Sequence, residues 1–274
     1  MNAAVDLLIT GGTVVTASSE GPASIGVHRG RIVHLGEPIP ALRTIDATGK
    51  LVLPGGIDPH VHLSAGVMPD GELLHWADDY ASGTRAAAAG GITAVGDMSY
   101  PRIGESLTDM VSRAADEAGR QAVVDFFIHP IVVTPDERAR AEIRALAERG
   151  HTSVKFFMIR DSFDPQSRDF AELLRVAGES GVLSMIHCED GCICAHRIGR
   201  LVDAGATGIE HYADSRPEYA EEVAVVRAIG MARAAGAPLY VAPISTPGAP
   251  DAVQPAGNLR LDLYAGTRPG DPYQ

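Results

Sequence analysis

Basic charge is what this sequence is short of: 23 Lys and Arg stand against 35 Asp and Glu, a net charge of −12 over 274 residues. Nucleic acids and anionic membranes are gripped through a basic face, so this balance argues against either as a partner. Cysteine is also scarce. Cys188, Cys192 and Cys194 fall within seven residues of one another. Thiols crowded in this way do not staple distant parts of a fold, and they favour a reducing compartment. A long apolar run is missing as well. The opening MNAAVDLLITGGTVVT has no positively charged n-region and breaks at Gly11-Gly12, so it reads as neither signal peptide nor membrane span. The expected location is the cytoplasm. The Gly-rich phosphate fingerprint is absent too, since neither Gly11-Gly12 nor Gly55-Gly56 matches it.

What is present is an ordinary globular composition, 45% hydrophobic and 21% charged. Glycine and proline are spread along the chain and punctuate many short elements. DLLITGGTVVTA, GVHRGRIVHLG and IDATGKLVLPG are rich in Val and Ile between turn residues, so residues 1–53 are expected to form strands of a small β-domain. From residue 54 to 274 the texture changes to alternating strands and helices. Helices are expected in DGELLHWADDYASGTRAAAAG, SLTDMVSRAADEAG, TPDERARAEIRALAERG, RDFAELLRVAGESG and EEVAVVRAIGMARAAG. The first ends at a Gly90-Gly91 stop, and Thr134 with Glu137 has the form of a capping box. Strands are expected near residues 57–63, 93–98, 123–132, 153–159, 182–188, 238–244 and 259–265. Repeated strand–helix units at this spacing imply a parallel sheet covered by helices. Seven units are one short of a closed eight-stranded α/β barrel, which is preferred here over an open doubly wound sheet.

Several polar residues interrupt this apolar framework. His60 and His62, in GGIDPHVHL, share one face of the first barrel strand because side chains alternate with period two. They stand at its carboxyl end, where barrel active sites are built, and two imidazoles so placed can grip one zinc ion. Lys155 lies in the apolar strand SVKFFM, where a lysine must snorkel, find a partner or lose its charge. His187 ends the strand LSMIH. Each has an ordinary alternative: a polar strand end, a capping lysine, a hydrogen-bonded histidine at the mouth. Their convergence on one end of strands one, four and five is harder to reach by chance. Asp97 and His129 end strands two and three and could assist. Cys188, Cys192, Cys194 and His196 are soft donors, but two cysteines within one helical turn converge poorly on a metal, and free cysteine is often just a small buried residue.

At these residues the sequence resembles the cyclic amidohydrolases, the hydantoinase/dihydropyrimidinase branch of the metal-dependent amidohydrolase superfamily. DLLITGGTVVT, IDATGKLVLPGGIDPHVHL, AAAAGGITAV, SVKFFM, MIHCED and HYADSRPEYAEE match that family's landmarks in order. The resemblance implies an α/β fold, a (β/α)8-type amidohydrolase barrel with a small β-sandwich made from both chain ends. It implies up to two Zn²⁺ bridged by a carboxylated Lys155, with His60 and His62 on the first metal and His187 on the second. The substrate would be a small cyclic amide or ureide, and the product an N-carbamoyl or similar acid.

The sequence also departs from the family. Relatives carry Tyr-x-x-His on the strand that reads PLYVAPIST here, and counting from Tyr240 that position is Pro243; no histidine follows His211. An aspartate expected on an eighth strand would lie past Gln274, so no catalytic residue is assigned and C-terminal truncation is expected. Gly266 stands where the tail motif of relatives has an acid, and Arg160 where dihydropyrimidinases have a tyrosine. His211 belongs to a His-x-x-x-Ser-Arg-Pro landmark and reads as structural or substrate-side. A barrel of about seven strands would leave open edges, so a homo-oligomer is expected. Beside the enzyme reading stand a catalytically impaired homologue or non-catalytic partner subunit, and an open α/β binding protein without chemistry. Metal content and hydrolysis discriminate these.

Overall fold

Val- and Ile-rich runs become strands as soon as the chain is described. The computed structural model describes residues 4–64, 66–67, 73–74, 76–249, 251, 253 and 262–267. By contacts the chain divides into one unit of Met1–Ile57 with Gly91–Thr93 and another of Asp58–Gly90 with Ala94–Gln274. In the first unit, β1 (Val5–Thr10), β4 (Ser24–His28), β5 (Arg31–Gly36) and β6 (Ala41–Asp46) form a sheet of order β5-β4-β1-β6, and β2 (Thr13–Val15), β3 (Glu20–Pro22) and β7 (Leu51–Val52) form a second of order β3-β2-β7. The β4–β5 hairpin turns on Arg29 and Gly30, both at positive φ (50° and 72°). That is the twist a two-residue hairpin needs. The Asp6 carboxylate accepts the Arg29 N–H at 2.6 Å and ties the turn to β1.

The second unit alternates strand and helix. In order come β8 (Gly56–Val61), β9 (Gly66–Val67), β10 (Leu73–Leu74), α1 (Tyr80–Ala89), β11 (Ile92–Ser99), α2 (Leu107–Gln121), β12 (Asp125–Pro130), α3 (Glu137–Glu148), β13 (Ser153–Phe157) and α4 (Ser167–Glu179). After these follow β14 (Leu183–His187), α5 (Gly191–Asp203), α6 (Glu218–Ala235), β15 (Leu239–Val241) and β16 (Leu263–Ala265). One ladder runs β8-β11-β12 and another β13-β14-β15-β16. A parallel bridge between Ile131 and Lys155 joins them, with the Val132 N–H donating to the Lys155 carbonyl at 2.9 Å. Seven strands therefore follow one another, as the spacing predicts. Among the described residues no ladder joins β16 back to β8, so the described strands do not close a barrel.

Three expectations are corrected. The helix read over 70–90 begins only at Tyr80, because Asp79 caps it by accepting the Ser82 N–H and receiving the Ser82 hydroxyl in return; Leu73–Leu74 is strand instead, and residues 70–72 and 75 lie outside the described residues. Thr134 is not a cap. Asp136 takes that role by accepting the Ala139 N–H at 2.8 Å, since a carboxylate one residue before the helix reaches the free N–H groups better than a hydroxyl three before it. Helix α5 lacks a place in the expected helices altogether; Asp190 starts it by accepting the Ile193 N–H.

Helices α2, α3, α4 and α6 cover the outside of the sheet. Met110, Ile143, Leu173 and Ala228 are buried there with the outward residues Val154 and Phe156 of β13 and Ile186 of β14. Each large aliphatic side chain buried in this way contributes about 1.5–3 kcal/mol. Inside, Met98, Ile131 and Met185 form a smaller cluster flanked by Tyr100, Val133, Phe157 and Tyr240. Among the described residues, no helix is long and apolar enough to cross a membrane.

Candidate metal centre

His60 is the penultimate residue of β8 and His62 lies just past the strand end, two residues on, which places both on one face. Their ring centroids are 5.6 Å apart at an interplanar angle of 49°. Two imidazoles bound to one tetrahedral ion hold their centroids roughly 5 Å apart, so the pair fits a shared divalent metal.

The backbone that carries the pair is held from three sides. Asp58 accepts the His60 N–H at 3.0 Å. His129, on β12, reaches across β11 so that its Nε2–H donates to the Pro59 carbonyl at 3.1 Å, while its Nδ1 meets the Ser153 hydroxyl at 2.5 Å. A carbonyl only accepts, so the proton sits on Nε2 and Ser153 is the donor to Nδ1. Burial pushes the His129 imidazole down to about 4, outweighing the Pro59 contact, and keeps it neutral. Gly96 gives this reach its room: a Cβ there would stand 2.7 Å from His129 Nε2 and 2.8 Å from the Pro59 oxygen. On the far side of β11, fully buried Asp97 accepts the N–H groups of Leu63 (2.7 Å) and Ser64 (3.3 Å) and the hydroxyls of Tyr80 (2.7 Å) and Ser99. Burial and the Asp97 charge hold the Tyr80 phenol protonated as the donor. Asp97 and His129, read from the sequence as possible assistants, thus spend their polar atoms on the backbone around the histidines and on neighbouring hydroxyls.

Lys155 is fully buried on β13. Its Nζ donates to the Ala242 carbonyl at 3.3 Å and lies 5.1 Å from the Phe157 ring centroid. The β13–β14 register sets Lys155 beside Met185 and Phe157 beside His187. His187 Nε2 is 2.9 Å from a Glu189 carboxylate oxygen, and Arg216 donates to the same oxygen at 2.5 Å. Burial raises the Glu189 carboxyl, but His187 and Arg216 together hold it below its usual value. Glu189 is therefore an acceptor, which puts the His187 proton on Nε2 and leaves the Nδ1 lone pair for a metal. A carboxylate behind a ligand histidine is the usual second partner of such a ring.

Rings connect the two ends of the site. His62 lies 4.8 Å from Trp76 and 6.3 Å from Tyr100, Tyr100 stacks on Phe157 at 6.1 Å, and Phe157 lies 5.6 Å from His187. The structure thus brings His60 and His62 together, and sets Lys155 and His187 on the neighbouring β13–β14 wall across Tyr100 and Phe157. Among the described residues no group of three or more His, Cys, Asp or Glu is arranged to hold a metal ion. The donors fit a divalent ion as an imidazole pair, with the remaining positions left to water or further ligands.

The other candidates separate from this site. Burial pushes the Cys188 thiol up to about 12 and that of Cys194 up to about 11, while Cys192 is exposed on α5; with His196 exposed as well, the cluster is no metal site. His211 is half-buried in a 3-10 turn, with Nδ1 3.2 Å from Asp214. At Gly266 the Tyr240 hydroxyl occupies the space a side chain would take, which accounts for the missing acid there. Sequence reasoning missed Glu189, Arg216 and Glu221. Glu221 accepts the N–H groups of Ser245 (2.9 Å) and Thr246 (3.1 Å), fixing the turn after β15. The signal was present in HYADSRPEYAEE, whose Arg216 and Glu221 anchor two strand ends.

The sequence profile of the Amidohydrolase family matches residues 51–259. The chain belongs to the amidohydrolase family. Within it, the D-hydantoinase of Rhizobium radiobacter is 35% identical over 241 residues, 86% of this chain and 51% of that enzyme. Dihydropyrimidinase 2 of Caenorhabditis elegans is 36% identical over 255 residues, 91% of this chain and 48% of that protein. Among solved amidohydrolases, the D-hydantoinase of Bacillus sp. AR9 superposes with a TM-score of 0.88 at 34% identity, covering 96% of this chain and 57% of the other. A further D-hydantoinase structure gives 0.89 at 32% identity with the same coverage. The α/β fold is therefore that of the hydantoinases. This amidohydrolase chain spans about half the length of the curated relatives it matches.

Proposed function

We propose that the chain works as a metal-dependent hydrolase opening cyclic amides or ureides of the hydantoin and dihydropyrimidine kind. The observation that carries this is the His60–His62 pair facing one another at a strand end, linked through Tyr100 and Phe157 to His187 above a fully buried Lys155. In this reading His60 and His62 would hold one zinc ion, and His187 with a carboxylated Lys155 would hold a second. A carbamate nitrogen keeps one N–H, so the contact to the Ala242 carbonyl survives carboxylation. Zinc, when bound, supplies a Lewis acid and a water acidified toward neutral pH.

The chain's own residues supply the rest of the geometry. Glu189 orients His187 and fixes its tautomer, His129 and Asp97 hold the loop that bears the pair, and the rings exclude water from one wall. In the net reaction the oxygen of water bonds to a ring carbonyl carbon, the C–N bond breaks, and the ring nitrogen takes a proton. A hydantoin would thereby give an N-carbamoyl amino acid. Three free cysteines support a reducing, cytoplasmic setting, and sheet edges without a ladder partner among the described residues support self-association.

The test joins metal analysis to hydrolysis of hydantoin, dihydrouracil and allantoin by wild type and Lys155→Ala. Zinc near two equivalents with turnover that Lys155→Ala abolishes is the expected result. A second reading, a homologue without catalysis, is favoured by the lack of a three-donor group among the described residues. Absence of both bound zinc and turnover would establish that reading and sink the first.

A further inference from the structure

Arg160 follows β13 by three residues, on the turn that leaves the Lys155 strand. It is half-buried, and its guanidinium lies 5.5 Å from the ring centroid of Tyr100 and 5.5 Å from that of Phe157. These are the two rings that join His62 to His187. Arg160 also hydrogen-bonds the Tyr100 hydroxyl, and a guanidinium carries five N–H donors, so others are left to donate. Among the described residues no carboxylate makes an ion pair with Arg160; the nearby Asp164 is taken by Arg227. Two other part-buried arginines do meet carboxylates, Arg113 with Glu105 and Arg216 with Glu189. A positive fork with no such partner, fixed against the rings of the site, has the chemistry of a carboxylate receptor.

We propose that Arg160 is a specificity-determining residue that receives an anionic substituent, a carboxylate on the side arm of a cyclic amide. The inference rests on reading this site as one for cyclic amides. Its physical content is that the rings pre-set the guanidinium, so little rotamer freedom is lost when a planar acceptor docks on the N–H edge. A neutral ligand of the same shape gains none of that charge-assisted hydrogen bonding.

The protein carries its own probe. Trp76 is the single tryptophan, 4.8 Å from His62, with its Nε1–H held by the Ser64 carbonyl at 2.9 Å. Titration of the full chain with hydantoin-5-acetic acid and with its isosteric neutral amide is followed by Trp76 emission and by calorimetry in parallel. Wild type is expected to bind the acid about tenfold more tightly than the amide, with the preference shrinking as salt is raised. Arg160→Gln is expected to erase the preference and Arg160→Lys to keep part of it, each variant first checked for native circular dichroism. The salt dependence in wild type needs no variant to fold. Equal affinity for acid and amide, no binding of the acid, or a preference that survives in Arg160→Gln would each overturn the proposal. Selective acid binding with no hydrolysis of any hydantoin would leave the receptor standing and remove the hydrolase; hydrolysis of plain hydantoin without acid preference would do the reverse.

Discussion

His129 is neither a ligand nor a proton carrier in this arrangement, yet the placement of His60 depends on it. Its imidazole is neutral when folded because burial holds its pKa at about 4, against roughly 6.5 in an unfolded chain. Between those values the unfolded state binds more protons, so stability rises with pH through that window. The contribution is complete above about pH 6.5 and is lost as pH falls through about 4. Urea unfolding of chelator-treated protein should therefore show about 2 kcal/mol less stability near pH 5 than near pH 7.5 from this residue. His129→Gln should flatten that difference, and an unchanged pH slope would refute the assignment. The pair it supports was visible in sequence as two histidines one residue apart, and Lys155 and His187 as polar residues in largely apolar strands. The support was not, since His129 to Pro59 and Asp97 to Leu63 are contacts across 70 and 34 residues. No local pattern encodes the meeting of a side chain with a distant backbone group.

At the scale of elements, helix starts show where local signals compete. Two acids and a threonine crowd the entry to α3, and the carboxylate nearest the helix wins. Asp136→Ala should lower stability by about 1 kcal/mol, while Thr134→Ala, at an exposed position, should stay within about 0.5 kcal/mol. Denaturant midpoints compare the two directly, and the reverse order would restore Thr134 as the cap. The strand–helix alternation was readable because apolar strands and amphipathic helices differ in period. In helix α5 only Cys194 is buried and Ile198 and Val202 are exposed, so its apolar residues do not mark a core face as those of the other helices do. The seventh strand was readable in LRLDLYAG, although residues 259–261 lie outside the described residues.

For the whole molecule, the governing fact is the order of the sheet. Seven strands run from β8 to β16, and among the described residues neither end of the row is paired with the other. Unpaired strand edges carry free N–H and C=O groups that seek partners. Light scattering after size exclusion is expected to report an assembly larger than one chain, and a clean monomer at all concentrations would argue that the row closes on itself. The overall architecture was legible because it needs only the count and spacing of strands. How tightly the donors gather was not, because that depends on the rings of Tyr100 and Phe157, which look like ordinary core residues in the sequence.

The three cysteines, discounted as metal donors, differ sharply in exposure. Cys188 and Cys194 are buried with thiols raised to about 12 and about 11, whereas Cys192 faces solvent on the first turn of α5. Only a thiolate reacts with maleimides at appreciable rate. Native protein near neutral pH should thus take one fluorescent label, at Cys192, and three once unfolded. That dye would sit five residues along the chain from His187, so the unaltered sequence can be tagged beside its site without adding or removing a residue.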